Sequence, residues 1–291
     1  MRHTMKMRIM RALFALVAIP LGVLGAPLQA HPGIDEQIEH LTAAIEHDPQ
    51  DANLFLRRGE LYRIHRDSER AEADYRTARR LDPGLHIVDF CLGRLKLETG
   101  HPREAKQLLD RYVSHRPNDP DGLATRGRSL AELGHYLAAA EDFTTALEHP
   151  RNGAPKPGHY LERARALQAA GPEHVALALE GLDEGLERLR QPITLQLFAV
   201  ELELARKNYE GALGRLDLVA SQSVRQEPWL MRKAAILEAA GRLEEARGAY
   251  RQALQSIDTL PTSRRGSKAV SRLEEEARSA LRRLNAGNSV E

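Results

Sequence analysis

The chain has 291 residues, with 42 Lys+Arg against 41 Asp+Glu, 4% aromatic residues and a single cysteine. One thiol excludes an intrachain disulfide, so packing alone must hold the fold. No long alternating Val/Ile/Thr run marks a strand, and the wealth of Ala, Leu, Arg and Glu predicts an all-helical protein.

Residues 1–30 read as a secretory signal. Arg2, Lys6, Arg8 and Arg11 form a basic start with no acid, Ala12 to Gly25 is apolar, and Leu28-Gln29-Ala30 offers a cleavage site before His31. The apolar run is shorter than the ~20 residues of a membrane span, which argues against an uncleaved anchor. Removal of its four cations leaves 38 Lys+Arg against 41 acids, a net charge of −3. A nucleic-acid partner needs a basic face and is therefore not expected. The expected address is exported, periplasmic or secreted, with no membrane span after signal removal.

Residues 31–51 are predicted to hold one helix, Ile34 to Glu46, ended by His47-Asp48-Pro49. A 34-residue period follows. Gly59, Tyr62, Ala71, Tyr75, Ala78 and Pro83 recur as Gly93, Lys96, Ala105, Leu109, Tyr112 and Pro117, then as Gly127, Leu130, Ala139, Phe143 and Ala146, with Pro150 one place early. Such a period marks a solenoid of stacked supersecondary units. Each unit reads as two antiparallel helices, A and B; in the first, Asn53 to His65 and Glu69 to Leu81, with Asp67 or Ser68 as cap. Small Gly59 and Ala71 let A and B approach, and the large positions fill the space around them.

Arg151 to Pro157 is the clearest loop and a potential hinge. Unit 157–192 is looser: Ala164 and Leu167 fit helix A, while Ala178, Leu182 and Gly185 fall two places late after Gly171-Pro172-Glu173-His174. Unit 193–226 is the most degenerate and lacks a turn glycine. Regularity returns at 227–260 with Ala234, Leu237, Ala246, Tyr250 and Ala253. Arg264 to Leu284 is predicted as a capping helix, and Asn285 to Glu291 as a disordered tail.

The small-x2-large-x8-Ala-x3-aromatic-x2-small-x4-Pro spacing resembles the tetratricopeptide repeat. The resemblance implies an all-α solenoid, a right-handed superhelix of antiparallel helix pairs. About six repeats are expected (52–85, 86–119, 120–156, 157–192, 193–226 and 227–260), flanked by the caps at 31–51 and 261–291. It further implies that the A helices line a concave groove. In that register Arg57, Glu60, Ile64, Phe90, Arg94, Leu97, Arg128, Glu132, Leu161, Arg165, Phe198, Glu201 and Met231 face inward. Arg94, Arg128 and Arg165 would form a row of guanidinium groups suited to carboxylates of an acidic segment, unless Glu60, Glu98 and Glu132 neutralise them. The Lys/Asn carboxylate clamp of chaperone-binding members is not visible.

No motif for catalysis or for a phosphate-cradling loop occurs, and no cofactor is expected. Of twelve histidines, His40 and His47 lie seven apart, about 10 Å along a helix, too far for one zinc ion. Only an amine and imidazole at a processed His31 could chelate a metal. Cys91, between Phe90 and Leu92, reads as a small core residue. The expected function is a non-catalytic scaffold that binds a protein or peptide in the cell envelope. One alternative is a structural subunit of an envelope or export assembly; a more remote one is metal binding through the N-terminal cluster of His31, His40 and His47.

Overall fold

The computed structural model describes residues 33–287. The expected signal, the His31 chelate and the last four residues of the tail lie outside the described residues. Within them the chain is helical, with α1 (Ile34–His47), α2 (Ala52–Ile64), α3 (Ser68–Leu81), α4 (Ile87–Glu98), α5 (Pro102–His115), α6 (Pro120–Glu132), α7 (Tyr136–Glu148) and α8 (Pro157–Ala170). There follow α9 (Val175–Arg188), α10 (Ile193–Ala205), α11 (Tyr209–Ser221), α12 (Glu227–Ala239), α13 (Leu243–Asp258), the single turn α14 (Thr262–Arg265) and α15 (Lys268–Gly287).

Short polar residues start several of these helices. The side chain of Asp51 accepts from the amide of Asn53 at 2.8 Å, Asp67 from Arg70 at 3.1 Å, Asp119 from Asp121 at 3.0 Å and Asn208 from Gly211 at 3.2 Å. Each satisfies an amide that has no partner within its helix. Tight turns then reverse the chain between A and B helices, so that α2 packs on α3, α4 on α5, α6 on α7, α8 on α9, α10 on α11 and α12 on α13. The turn residue is left-handed at Arg66 (φ 64°), Gly100 (75°), Gly134 (80°), Lys207 (60°) and Gly241 (74°). Lys207 thus takes the conformation that glycine adopts 34 residues later.

The small positions work by contact. A Cβ atom placed on Gly59 would lie 2.7 Å from the Tyr75 ring, one on Gly93 2.7 Å from Leu109, and one on Gly127 3.1 Å from Phe143. The same three glycines face the carbonyls of Ala71, Ala105 and Ala139, each at 3.3 Å. Between pairs the volumes trade places. Ala78 and Val88 are both buried; 34 residues on, the bulky Tyr112 is admitted because Gly122 follows, where a Cβ would lie 2.5 Å from its ring.

One polar device recurs beneath this packing. Arg58 donates twice to Asp74, at 2.8 and 2.8 Å, and Arg126 twice to Asp142, at 2.8 and 2.6 Å. Both aspartates are buried. In the intervening pair the same two positions are Leu92 and Leu108. The ends close as expected in kind: Leu41 and Ile45 of α1 are buried, and Ala277, Ala280 and Leu284 of α15 join the core built by α10–α13.

Three expectations need correction. The predicted helix from Arg264 is broken, because Gly266 ends α14 and Ser267 starts α15, its hydroxyl accepting from the Val270 amide at 3.4 Å. Asn285 to Gly287, assigned to a disordered tail, continue α15. The potential hinge at 151–157 is tied down: Arg151 reaches Asp119 and Asp121 at 3.2 and 3.1 Å, and Lys156 reaches Asp121 at 2.6 Å.

Candidate functional site

On a helix, side chains three and four apart share a face. That places Arg57, Glu60 and Leu61 together on α2 and Phe90, Arg94 and Leu97 on α4. With His40 and Leu41 of α1, most of these border a depression of about 690 Å³. Arg94 and Leu97 continue into a second depression of about 590 Å³ with Arg128 and Glu132 of α6 and Arg165 and Ala166 of α8. Arg94 lines both, so the two depressions adjoin along the A helices α2, α4, α6 and α8.

The charges here are unevenly satisfied. Glu60 accepts from Tyr75 and from Arg94, which approaches at 2.6 Å, and Arg63 lies 3.4 Å away. Burial alone would raise the Glu60 carboxyl, but the Tyr75 hydroxyl and the Arg94 guanidinium outweigh it and hold the group below its ordinary range. Arg128 is held by Glu162 at 2.6 and 3.1 Å. Glu98 serves Arg63 at 2.9 Å rather than the row.

Two of the three row arginines are therefore neutralised inside the protein. Arg165 is different: it is exposed, and its guanidinium lies 5.6 Å over the Phe198 ring. Neither Arg165 nor the exposed Arg57 has a carboxylate partner among the described residues. The exposed Glu132 likewise has no ion pair there.

The other predicted positions fall elsewhere. Phe198 is only 8% exposed and belongs to the core, so it serves as the base under Arg165 rather than as groove wall. Leu161 packs half-buried against the same core. Ile64 is exposed, at 53%, and borders neither depression. Glu201 is also exposed outside both. Met231 lines a separate depression of about 540 Å³ near α15, with Tyr250, Leu273 and Arg283. Sequence reasoning missed Glu162 as the partner of Arg128. The available signal was opposite charge one period apart, since Glu60–Arg94 and Arg128–Glu162 are both 34 residues apart.

The Cys91 thiol lies in the floor of the first depression but is buried. Burial pushes its pKa up, and the nearby Glu60 carboxylate adds to the effect, which suppresses the thiolate. Among the described residues no three His, Cys, Asp or Glu side chains gather as a metal site. No helix among them is long and apolar enough to cross a membrane.

Comparison with known proteins agrees with this architecture. A model of the tetratricopeptide repeat matches residues 38–86 and 92–157. Cellulose synthase operon protein C of Pseudomonas fluorescens (strain SBW25) is 28% identical over 158 residues, 52% of this chain but only 12% of that protein. YrrB and PilW are among the solved structures that share the fold. YrrB, described as a tetratricopeptide protein with an unusual peptide-binding site, is 22% identical with TM-score 0.53, covering 63% of this chain and 92% of its own. PilW, described as a type IV pilus biogenesis factor, is 17% identical with TM-score 0.55, covering 68% and 90%.

Proposed function

We propose, from the premise that the chain is a tetratricopeptide repeat protein and hence a scaffold for protein–protein interaction, that it captures an acidic protein segment in the groove of its A helices. In this reading the pairs α2–α3 to α12–α13 are six repeats, capped by α1 and α15, and binding is non-catalytic. The observation that carries the reading is the pair of exposed guanidinium groups, Arg57 and Arg165, left without carboxylates along a groove in which Arg94 and Arg128 are already satisfied. An arginine fork binds a carboxylate bidentately, and Phe90 and Leu97 offer apolar contact between the two.

A fluorescent Asp/Glu-rich peptide tests the reading. Arg57→Glu with Arg165→Glu should weaken its binding about tenfold or more, since each charge-assisted contact contributes about 1.5–3 kcal/mol. An unchanged affinity in the folded variant would refute it.

The location we propose is the cell envelope. Support comes from the basic, then apolar, character of residues 2–25 and from the partial match to a cellulose synthase operon protein. Cell fractionation decides: protein retained in the cytosol with residues 1–30 intact would contradict it.

A further inference from the structure

The face built by the B helices differs along the chain. Between α3 and α5, above α4, lies a shallow cleft of about 190 Å³. Lys96 fills its floor, with its ammonium 2.9 Å from Glu72 and 3.3 Å from Glu104. Arg76, Arg79 and Arg111 surround it.

The equivalent cleft between α7 and α9, above α8, measures about 640 Å³. Aligned on Gly93 with Ala164 and on Ala105 with Ala178, the sequence shows why. Leu167 stands in place of Lys96, Leu177 in place of Glu104, and Gly181 in place of Leu108. Charge reverses at the edge, where Glu180 replaces Gln107 and Glu184 replaces Arg111.

Gly181 keeps this cleft open. Arg163 donates to its carbonyl at 3.1 Å and to Glu184 at 2.9 Å, and a Cβ on Gly181 would fall 2.5 Å from that guanidinium nitrogen. Two leucines that line the cleft, Leu137 and Leu177, are 49% and 53% exposed. Three carboxylates that line it, Glu141, Glu148 and Glu180, are exposed and have no ion pair among the described residues.

We propose that the α7–α9 cleft is a second docking site, which takes a basic amphipathic segment of a partner protein. Apolar side chains of that segment enter against Leu137, Leu167 and Leu177, and its Lys or Arg residues meet the three unpaired glutamates. Complementary charge fixes the class of partner, and the volume falls within the ~300–1,000 Å³ of typical binding pockets. The acidic edge repels nucleic acid and anionic lipid. The site is independent of the A-helix groove and of the acidic segment proposed for it.

The test uses a labelled Lys/Leu amphipathic peptide, its Glu/Leu twin, and the full chain, with folding of each variant checked by circular dichroism. The Lys/Leu peptide should bind and its twin should not. Glu141→Lys with Glu180→Lys should weaken binding about tenfold, whereas Glu46→Lys with Glu275→Lys, an equal change in net charge at remote exposed sites, should not. Arg163→Leu with Gly181→Leu copies Leu92 and Leu108; it makes the chain more acidic yet fills the cleft, so binding should weaken. Equal weakening by the remote pair, or tighter binding after the leucine substitutions, would show bulk attraction and overturn the proposal. If the leucine variant does not fold, the two glutamate pairs decide alone.

Discussion

Helices α2–α7 and α8–α11 place their charges differently at the same structural position. In α2–α3 and α6–α7 the arginine just before a small helix-A residue meets an aspartate just before a large helix-B residue, as Arg58–Asp74 and Arg126–Asp142, while α4–α5 has Leu92 and Leu108 there. In α8–α9 the arginine remains as Arg163, but the aspartate position is Gly181, and the guanidinium turns to a backbone carbonyl and Glu184. In α10–α11 the helix-B position is itself arginine: Arg215 reaches back to Asp183 of the preceding pair at 2.6 and 2.8 Å. The within-hairpin partner thus shifts from aspartate to Glu184 in α8–α9, and in α10–α11 the shortest ionic contact runs between hairpins. The repeat therefore fixes volumes more strictly than charges, and the cleft on the B-helix face opens where Gly181 stands at the helix-B position held elsewhere by Asp74, Leu108, Asp142 or Arg215.

The largest expected effect breaks the first region. Asp142→Ala leaves Arg126 without its principal partner and should cost about 3 kcal/mol in denaturant unfolding. Arg126→Leu with Asp142→Leu, which copies Leu92 and Leu108, should lie within about 1 kcal/mol of the parent. Should the double variant be as damaged as the single one, the two solutions are not interchangeable.

Next, Gly181→Asp would rebuild the first region's ion pair in the second. The obstructing atom is the mobile end of Arg163, so the substitution should raise stability by about 1 kcal/mol, part of it from removing a mid-helix glycine. A lower thermal midpoint would show that Arg163 cannot leave Gly181 and Glu184.

Acid should separate the regions further. Burial depresses the pKa of His159 in α8, so the unfolded chain protonates first and stability contributed by neutral His159 is lost as pH falls below its ordinary ~6.5. Glu60 and Asp119 belong to the first region. Their desolvation is outweighed by hydrogen bonds from Tyr75 and Tyr112 respectively, and both pKa values are depressed. Their contribution is full above the ordinary carboxyl range of ~4 and declines as pH falls through it. Melting midpoints should therefore drop in two steps, and His159→Gln should remove the upper one. Persistence of the upper step in that variant would assign it to another group.

The smallest effect concerns the turns. Lys207→Gly should relieve a left-handed lysine and stabilise by up to about 1 kcal/mol, less the added freedom of the unfolded chain. Gly134→Lys should destabilise by a similar amount. A loss of stability in Lys207→Gly would mean that the lysine side chain contributes more than its backbone costs.

The fold was legible because volume recurs at fixed offsets: Gly59 with Tyr75 and Gly127 with Phe143 are readable without coordinates. Compensation between hairpins was less legible. Tyr112 breaks the small-residue rule of Ala78, and only its contact with Gly122 explains why. In the candidate groove, the row of arginines was visible, but which of them is free depends on partners a full period away. Glu162 removes Arg128 from the available set and leaves Arg165. The B-helix cleft escaped notice because it arises from what is missing at Gly181 rather than from a motif.

The most direct measurement is simultaneous titration of the two peptides, acidic and basic, on the same protein. Saturation with one should leave the affinity of the other unchanged, Arg57→Glu with Arg165→Glu should weaken only the acidic peptide, and Glu141→Lys with Glu180→Lys should weaken only the basic one. Mutual displacement, or one pair of substitutions weakening both, would contradict two independent sites.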